Sequence, residues 1–190
     1  MCFKRLLAII LTACTILTLA SCGKDLPDVS SEESSSAPVV KEVVLNRLTG
    51  LPLENEDAAK SKPVAIMINN IKVAQTVQSG IENADIVFET EVEGGITRMM
   101  AVFADISVVK GDIGSVRSAR VVYPNIAAGL GAVYFHAGRD DTYCGPEMAR
   151  IGIESLDLNK TSAYMFRKKN GLPSEHTLFT NAELLQKAIK

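Results

Sequence analysis

The sequence predicts an α/β or α+β fold: a single domain with a mixed sheet that includes a Gly-Gly β-hairpin and is flanked by helices. Three observations carry this prediction. Residues 63–68 form a short, continuously apolar run, and residues 132–136 an apolar run that ends in a histidine, as strands buried on both faces do. A run of alternating apolar and acidic residues leads into Gly94-Gly95, which suits a hairpin. Helical segments separate these strands, and such a mix favours a sheet with helices packed against it.

The first predicted elements are strands. The run 63–68 stops at two asparagines, which suit a turn. In residues 84–105 the apolar side chains alternate with acidic ones up to the glycine pair, as in a strand that turns back on itself. If the two glycines form a two-residue loop, Glu91 lies opposite Arg98 and Phe88 lies opposite Ala101.

The acidic side chains of this hairpin allow two interpretations. Glu89, Glu91 and Glu93 recur at every second position, so they share one face of the strand. A solvated strand face is the prediction. A set of paired carboxylates for acid–base chemistry is the alternative.

Three helices are predicted after the hairpin. The first spans about residues 119–130, with a proline in an early turn and a glycine at its end. A second helix begins near Gly145-Pro146-Glu147, because proline is favoured in a first turn. The last follows Thr180-Asn181-Ala182-Glu183, which has the spacing of a capping box with Thr180 as the N-cap.

The N-terminus predicts export and a lipid anchor. Residues 1–21 combine a basic start, an apolar core and small residues, as a secretory signal peptide does. The sequence Leu19-Ala20-Ser21-Cys22 matches the bacterial lipoprotein pattern, in which the cysteine becomes the mature N-terminus and carries a diacylglycerol and palmitate anchor. The apolar stretch is short for a spanning helix. An uncleaved anchor helix is the alternative, but it gives the cysteine no role.

Residues 22–42 are predicted to be a disordered tether, and residues 43–190 the folded domain. The tether is rich in serine and glutamate and has almost nothing apolar to bury. Without Lys4 and Arg5, 18 basic side chains remain against 22 acidic ones, a net charge of −4. This charge argues against nucleic acid as a partner. The bilayer, held through Cys22 on the outer face of the cytoplasmic membrane, is the expected partner.

A cluster of basic residues precedes the first predicted helix. If that helix starts near Ser118, its free N–H groups attract an anion, and Arg117 and Arg120 add forked donors for phosphate or carboxylate. The alternative is that Ser118 is only an N-cap and that the arginines pair with Asp112 or with the acidic strand. The local sequence leaves both open.

Two histidines complete the candidate residues. His136 ends a predicted buried strand, where ligands of α/β sheets gather, and it could exchange a proton or donate to an anion. His176 lies in a predicted loop. A purely structural role is the alternative for a lone histidine. Cys144 is expected to be a small buried residue rather than a reactive or metal-binding thiol.

Standard catalytic and metal motifs are absent from the sequence. There is no Walker-type loop, no GxSxG elbow, no HExxH and no zinc-type Cys/His cluster. Asp140-Asp141 lies near His136, but its spacing is unspecific. No metal site and no cofactor are therefore predicted, and whether the protein is an enzyme is left open.

Five stretches resemble the YerB-like bacterial lipoproteins, a family whose domain has no known function. They are residues 63–70 (PVAIMINN), 78–98 (QSGIENADIVFETEVEGGITR), 113–120 (IGSVRSAR), 133–138 (VYFHAG) and 175–180 (EHTLFT). The resemblance implies a lipidated N-terminus and an α/β domain. It also implies that this chain is the family's N-terminal domain, without the C-terminal domain that members usually carry.

The resemblance also bears on the site. It implies that six residues fall in the family's recurring motifs: Arg98, Arg117, Ser118, Arg120, His136 and His176. The chain departs from the family pattern at Ser115 and Arg139, where proline and glycine are usual.

The leading functional prediction is a membrane-tethered domain that binds an anionic envelope ligand through an Arg/His pocket. A hydrolase or transferase acting on envelope polymer or phosphoester is one alternative, with His136 or Glu91 as base. A structural or partner-binding lipoprotein without a small ligand is the other.

Overall fold

A computed structural model describes residues 43–190, and residues Glu42–Lys190 form a compact unit of their own. The signal peptide of residues 1–21, lipidation at Cys22 and the tether up to residue 42 lie outside the described residues, so they stay predictions. Of the helices in the described part, none is both long and apolar enough to cross a membrane.

The described residues form eight strands, four α-helices and several short 3-10 turns. The strands are β1 (Val64–Asn69), β2 (Ile86–Glu91), β3 (Thr97–Phe103), β4 (Asp112–Gly114), β5 (Val133–His136), β6 (Ser155–Asp157), β7 (Phe166–Arg167) and β8 (Leu178–Asn181). The helices are α1 (Lys72–Gln75), α2 (Val122–Gly129), α3 (Cys144–Ile151) and α4 (Ala182–Ile189). The 3-10 turns are Glu56–Lys60, Ile81–Asn83, Glu93–Gly95, Ile106–Val108, Leu158–Lys160 and Ser174–His176.

Five strands form a mixed sheet in the order β2-β3-β1-β5-β6. Strand β3 is antiparallel to both of its neighbours, β2 and β1, whereas β1, β5 and β6 run parallel to one another. Every residue of β1 and of β5 is buried. The prediction of two strands covered on both faces is therefore confirmed, and so is the mixed α/β fold.

The two faces of this sheet are covered by different elements. Helices α2 and α3 cover one face, where Tyr123 and Met148 pack with Met67 and Tyr134. The second sheet, of three antiparallel strands in the order β4-β8-β7, covers the other face together with α4. Sequence reasoning missed this second sheet because its strands, at two to four residues, are too short to show a periodicity.

The predicted hairpin exists, but its predicted register is wrong by one residue. Thr97, not Arg98, is opposite Glu91, and Met100 is opposite Phe88. The loop has three residues rather than two, because the amide of Val92 donates to the carbonyl of Ile96 and leaves Glu93 to Gly95 between them. Such loops are the next most common after the two-residue turns. Glu89 and Glu91 lie on the exposed face of β2, as predicted.

Two predicted helix starts are also corrected. Helix α2 begins at Val122 with Val121 as its N-cap, so Ser118 is not a cap and the helix N-terminus does not lie at Arg117. The last helix is capped by Asn181, whose side chain accepts from the amide of Leu184, rather than by Thr180. Thr180 belongs to β8, and its hydroxyl donates to the carbonyl of Tyr164. Helix α3 begins beside Pro146, as predicted.

Candidate functional site

The candidate site is built on an extended segment, residues 115–119, that fills the gap between β1 and β5. The two strands pair over residues 64–66 and 133–135 and then diverge. The segment bonds to both strands. On the β1 side, the amide of Asn69 donates to the carbonyl of Ser115, and the amide of Arg117 donates to the carbonyl of Met67. On the other side, the amide of Ala137 donates to the carbonyl of Arg117. The segment therefore lies at the carboxyl ends of two parallel strands, the usual ligand position in such sheets.

The extended segment and the residue after it place the two candidate arginines, Arg117 and Arg120, at different cavities. Val116 packs into the core that includes the second sheet, and Arg117 lines a cavity beside it. The hydroxyl of Ser118 accepts instead from the buried Arg98 and from Arg120, and Arg120 lines a different cavity. The structure does not bring all candidate residues into one pocket.

Arg98, Ser118 and Arg120 form one hydrogen-bonded group. Arg98 is 2% exposed, and its Nη1 donates to the carbonyl of Ser118 at 2.8 Å and to its hydroxyl at 3.0 Å. Arg120 Nη1 donates to the same hydroxyl at 2.9 Å. Arg120 also makes a two-pronged ion pair with Glu93, at the hairpin loop. The group holds the segment 115–119 against β3 and the hairpin.

The charges in this group shift each other's pKa values. Burial, followed by the neighbouring positive charges of Arg120 and Arg117, lowers the pKa of Arg98 to about 10. The hydrogen bonds from Arg120 lower the pKa of Glu93 to about 2. Arg98 Nε is buried without a hydrogen-bond partner. A buried guanidinium with an unsatisfied donor is unfavourable unless an anion or a polar group reaches it.

Arg117 faces a polar cleft of about 220 Å³ between the main sheet and the second sheet. Its walls also include Asn159, Arg167, Ser174 and Glu175. Two guanidinium groups and one carboxylate therefore line the cleft, and its net charge is positive. The guanidinium of Arg117 is weakly held, because its Nη2 is 3.7 Å from Glu175 Oε1 and its Nε is buried without a partner.

Arg167 is a candidate residue that sequence reasoning missed. Its Nη1 donates to the carbonyl of Ser174 at 2.6 Å and to the hydroxyl of Thr177 at 3.0 Å, which orients the guanidinium in the cleft. It lies on the two-residue strand β7, whose pairing with β8 brings it to the cleft. Nothing in the local sequence around Phe166 and Arg167 signals this placement.

His176 lies behind the cleft and is joined to it through Glu175. Its Nδ1 is 2.8 Å from the side-chain nitrogen of Asn69, which can only donate, so Nδ1 accepts and the proton is on Nε2. Nε2 is 3.2 Å from Glu175 Oε1. The histidine thus holds the carboxylate that faces Arg117. Asn69, at the end of β1, is a second residue that the site prediction did not include.

His136 belongs to neither group. It is 1% exposed, and its Nδ1 is 2.8 Å from the carbonyl of Gly138. Burial lowers its pKa, against opposing effects of that carbonyl and of Asp157. A neutral, enclosed imidazole that bonds its own turn has the geometry of the structural alternative.

The remaining chemistry is limited in the described part of the chain. No group of three His, Cys, Asp or Glu side chains there could hold a metal ion. Cys144 is buried and free, as predicted, and burial raises the pKa of its thiol to about 11. Asp140 accepts from the amides of Thr142, Tyr143 and Cys144, so it stabilises the turn before α3.

The fold and the site together define a mixed α/β domain with a basic, polar cleft at the carboxyl edge of its main sheet. The chain belongs to the family described as "Protein of unknown function (DUF3048) N-terminal domain", whose model matches residues 48–190. The resemblance found in the sequence is thereby confirmed.

Two comparisons agree with this membership. The chain is 36% identical over 110 residues to the protein named "Putative lipoprotein YerB" of Bacillus subtilis (strain 168), a match that covers 58% of this chain and 32% of that protein. It is also similar to the crystal structure of the YerB protein from Bacillus subtilis, with a TM-score of 0.64 at 28% identity. That match covers 74% of this chain and 47% of the other. The chain thus spans about a third to a half of these relatives.

Proposed function

We propose that this domain binds an anionic group of the cell envelope in the cleft lined by Arg117 and Arg167. The supporting observation is the state of Arg117: its Nε is buried without a partner, and its nearest carboxylate lies beyond hydrogen-bond distance. A phosphate or carboxylate of the ligand would supply the missing acceptor, and a planar guanidinium suits both.

Arg167 and Glu175 give the cleft its proposed selectivity. Arg167 is already oriented by two oxygen acceptors, so it can meet an anion without reorganising. Glu175 is half-exposed and is held by His176, and it would accept a hydroxyl or amide proton of the ligand beside the anionic group. The cleft therefore fits an anion that carries neighbouring donors, such as a glycerol phosphate or a muramyl carboxylate.

The proposed location follows from the N-terminal pattern and from the relative named as a lipoprotein. Lipidation at Cys22 would hold the domain at the outer face of the cytoplasmic membrane, with residues 23–42 as a tether. A flexible tether of about 20 residues has a root-mean-square span of about 25 Å. The cleft would then meet envelope polymer or envelope proteins close to the bilayer, rather than nucleic acid.

The test is a thermal-shift titration of residues 42–190 with inorganic phosphate, glycerol-phosphate oligomers and muropeptides. A ligand at about 100 Kd adds about 2.7 kcal/mol to the free energy of unfolding, which raises Tm by about 5–10 °C for a domain of this size. Arg117→Ala is expected to abolish the shift, and Arg117→Lys to weaken it because lysine lacks the fork.

Arg150→Ala is the matched control, because it also removes one arginine from an ion pair but at an exposed site on α3. It should leave the ligand shift unchanged. A shift that persists in Arg117→Ala, or a well-folded wild type that responds to none of the anions, would exclude the cleft as the binding site.

A further inference from the structure

A second cavity, of about 450 Å³, opens on the Arg120 side of the segment and is separate from the cleft. Val92, Val121 and Val122 give it apolar walls, and Tyr143, which is 70% exposed, lines it as well. Among the described residues that line it, Arg120 alone is basic, and Glu91, Glu93 and Asp140 are acidic. Of these carboxylates, that of Glu93 hydrogen-bonds to Arg120, whereas Asp140 accepts from backbone amides of its own turn. The apolar walls and the guanidinium of Arg120 therefore suit a ligand with an apolar body and a single carboxylate.

The guanidinium of Arg120 makes two sets of hydrogen bonds. Its Nη1 donates to the hydroxyl of Ser118 and to the carbonyl of Ala119, both at 2.9 Å, and these bonds fix the plane of the group. Its Nε and Nη2 form the fork that points to Glu93. If the carboxylate of Glu93 left, the fork would remain oriented and would present two parallel donors.

Arg98 strengthens the attraction for an anion at this place. It shares the hydroxyl of Ser118 with Arg120, and its own Nε is buried without a partner. Its side chain is enclosed, and none of the hydrogen bonds it makes in the described part of the chain goes to a carboxylate. In the described part of the chain, the carboxylate that hydrogen-bonds to one of these two adjacent guanidinium groups is that of Glu93.

Glu93 lies in the hairpin loop, next to two glycines that face open space. It begins the three-residue hairpin loop, and Gly94 and Gly95 follow it with φ values of 75° and 68°. No atom lies within 4 Å of the place where a Cβ on either glycine would be. The side-chain positions of the two glycines therefore face open space, so a movement of the loop in that direction does not unpack the core.

We propose that Arg120, with the buried positive charge of Arg98 behind it, forms a carboxylate-binding site that the carboxylate of Glu93 occupies in the absence of ligand. The ligand is a carboxylate with an apolar body: its charged group replaces Glu93 on the fork of Arg120, and its body fills the cavity between Val92, Val121 and Val122. The Glu93 side chain and the glycine loop then swing into solvent.

The competition between Glu93 and the ligand for Arg120 explains why the ligand needs an apolar body. A carboxylate on the same chain acts at an effective concentration of the order of mM, so a small anion such as acetate competes poorly. Burial of apolar surface against the valines favours the ligand over Glu93, whose own side chain is 62% exposed. The residues of this site differ from those of the Arg117 cleft, so the two proposals are tested independently.

The experiment is a calorimetric titration of residues 42–190 with hexanoate, in which acetate keeps the charge without the chain and hexanol keeps the chain without the charge. Glu93→Gln removes the internal competitor and is expected to lower the Kd for hexanoate about tenfold or more. Glu91→Gln is the matched control, since it removes the same charge from the same cavity but from a side chain that, among the described residues, has no hydrogen bond or ion pair with Arg120.

The proposal requires that Glu91→Gln changes the Kd less than twofold and that adding Arg120→Gln removes the gain of Glu93→Gln. Equal gains in the two glutamine variants, a gain that survives the loss of Arg120, or an equal gain for hexanol would overturn it. A readout on the wild type is independent of these variants: hexanoate at saturation should shift the backbone amide resonances of Gly94 and Gly95. Unchanged resonances would equally overturn the proposal.

Discussion

Arg98 and Arg117 lie on neighbouring elements, but they differ in burial. Their guanidinium groups therefore differ in how well they can donate hydrogen bonds to a ligand. Arg98 is enclosed, and its Nη1 is fully used by Ser118, so its main effect is to hold the segment 115–119 in place. Arg117 keeps 26% of its side chain exposed and has only a loose ion pair. A side chain that retains free donors at a cleft wall is the one that a ligand can use.

The burial of Cys144, in the core between the main sheet and helices α2 and α3, can be tested by its reactivity. Burial raises the pKa of its thiol to about 11, so the reactive thiolate is scarce at neutral pH. Residues 42–190 contain no other cysteine. We expect a maleimide reagent to modify the unfolded domain in urea within minutes and the native domain at least about 100-fold more slowly. Equally fast labelling of the native domain would contradict the buried position.

At the scale of residues, the sequence identified some residues of the proposed site but not the contacts that they make. Arg117 and His176 were singled out, and the structure connects them through Glu175. The separation of Arg117 from Arg120 depends on the extended conformation of residues 115–119, whereas the local pattern favoured a helix start. Arg167 could not be predicted, because only the pairing of β7 with β8 brings it to the cleft.

At the scale of elements, the cap of α4 distinguishes the predicted start from the observed one. The Asn181 side chain accepts from the amide of Leu184 at 3.0 Å, so Asn181→Ala is expected to lower the free energy of unfolding by about 1 kcal/mol. Asn181→Asp keeps an acceptor, so it should retain most of the stability that Asn181→Ala loses. Urea denaturation of residues 42–190 measures both, and a neutral Asn181→Ala would refute the assignment.

Long apolar or alternating stretches were predictable, and short elements were not. The burial of β1 and β5 follows from their composition, and the hairpin follows from alternation up to Gly94-Gly95. The register of the hairpin was not predictable, because one more loop residue changes every pair while leaving the pattern intact. The strands β4, β6 and β7 are defined by their partners rather than by their own residues.

At the scale of the whole molecule, the layers on either side of the main sheet make stability depend on pH through His136. Burial, its largest influence, lowers its pKa from the ordinary value of 6.5, with Arg139 and Lys160 acting in the same direction and Asp157 opposing. The unfolded chain therefore binds a proton at a higher pH than the native domain. Stability contributed by the neutral histidine is complete above about pH 6.5 and decreases as the pH falls below it.

Urea denaturation at about pH 7.5 and about pH 5.5 measures this effect, with a slope of at most about 1.4 kcal/mol per pH unit for one proton. His136→Gln should lower the stability at the higher pH and reduce the difference between the two conditions. A variant with the same pH dependence as the wild type would show that other groups are responsible.

The segment 115–119 also has a consequence for the order of folding. It is bonded to Met67 and Asn69 of β1, to Ala137 after β5 and to Leu178 of β8, which are far apart in the sequence. Because closing long loops costs conformational entropy, we expect these contacts to form after the local hairpin of β2 and β3. The cleft is therefore completed only when both sheets have docked. A chain that has acquired its proposed binding site is thus one whose folding has reached its end.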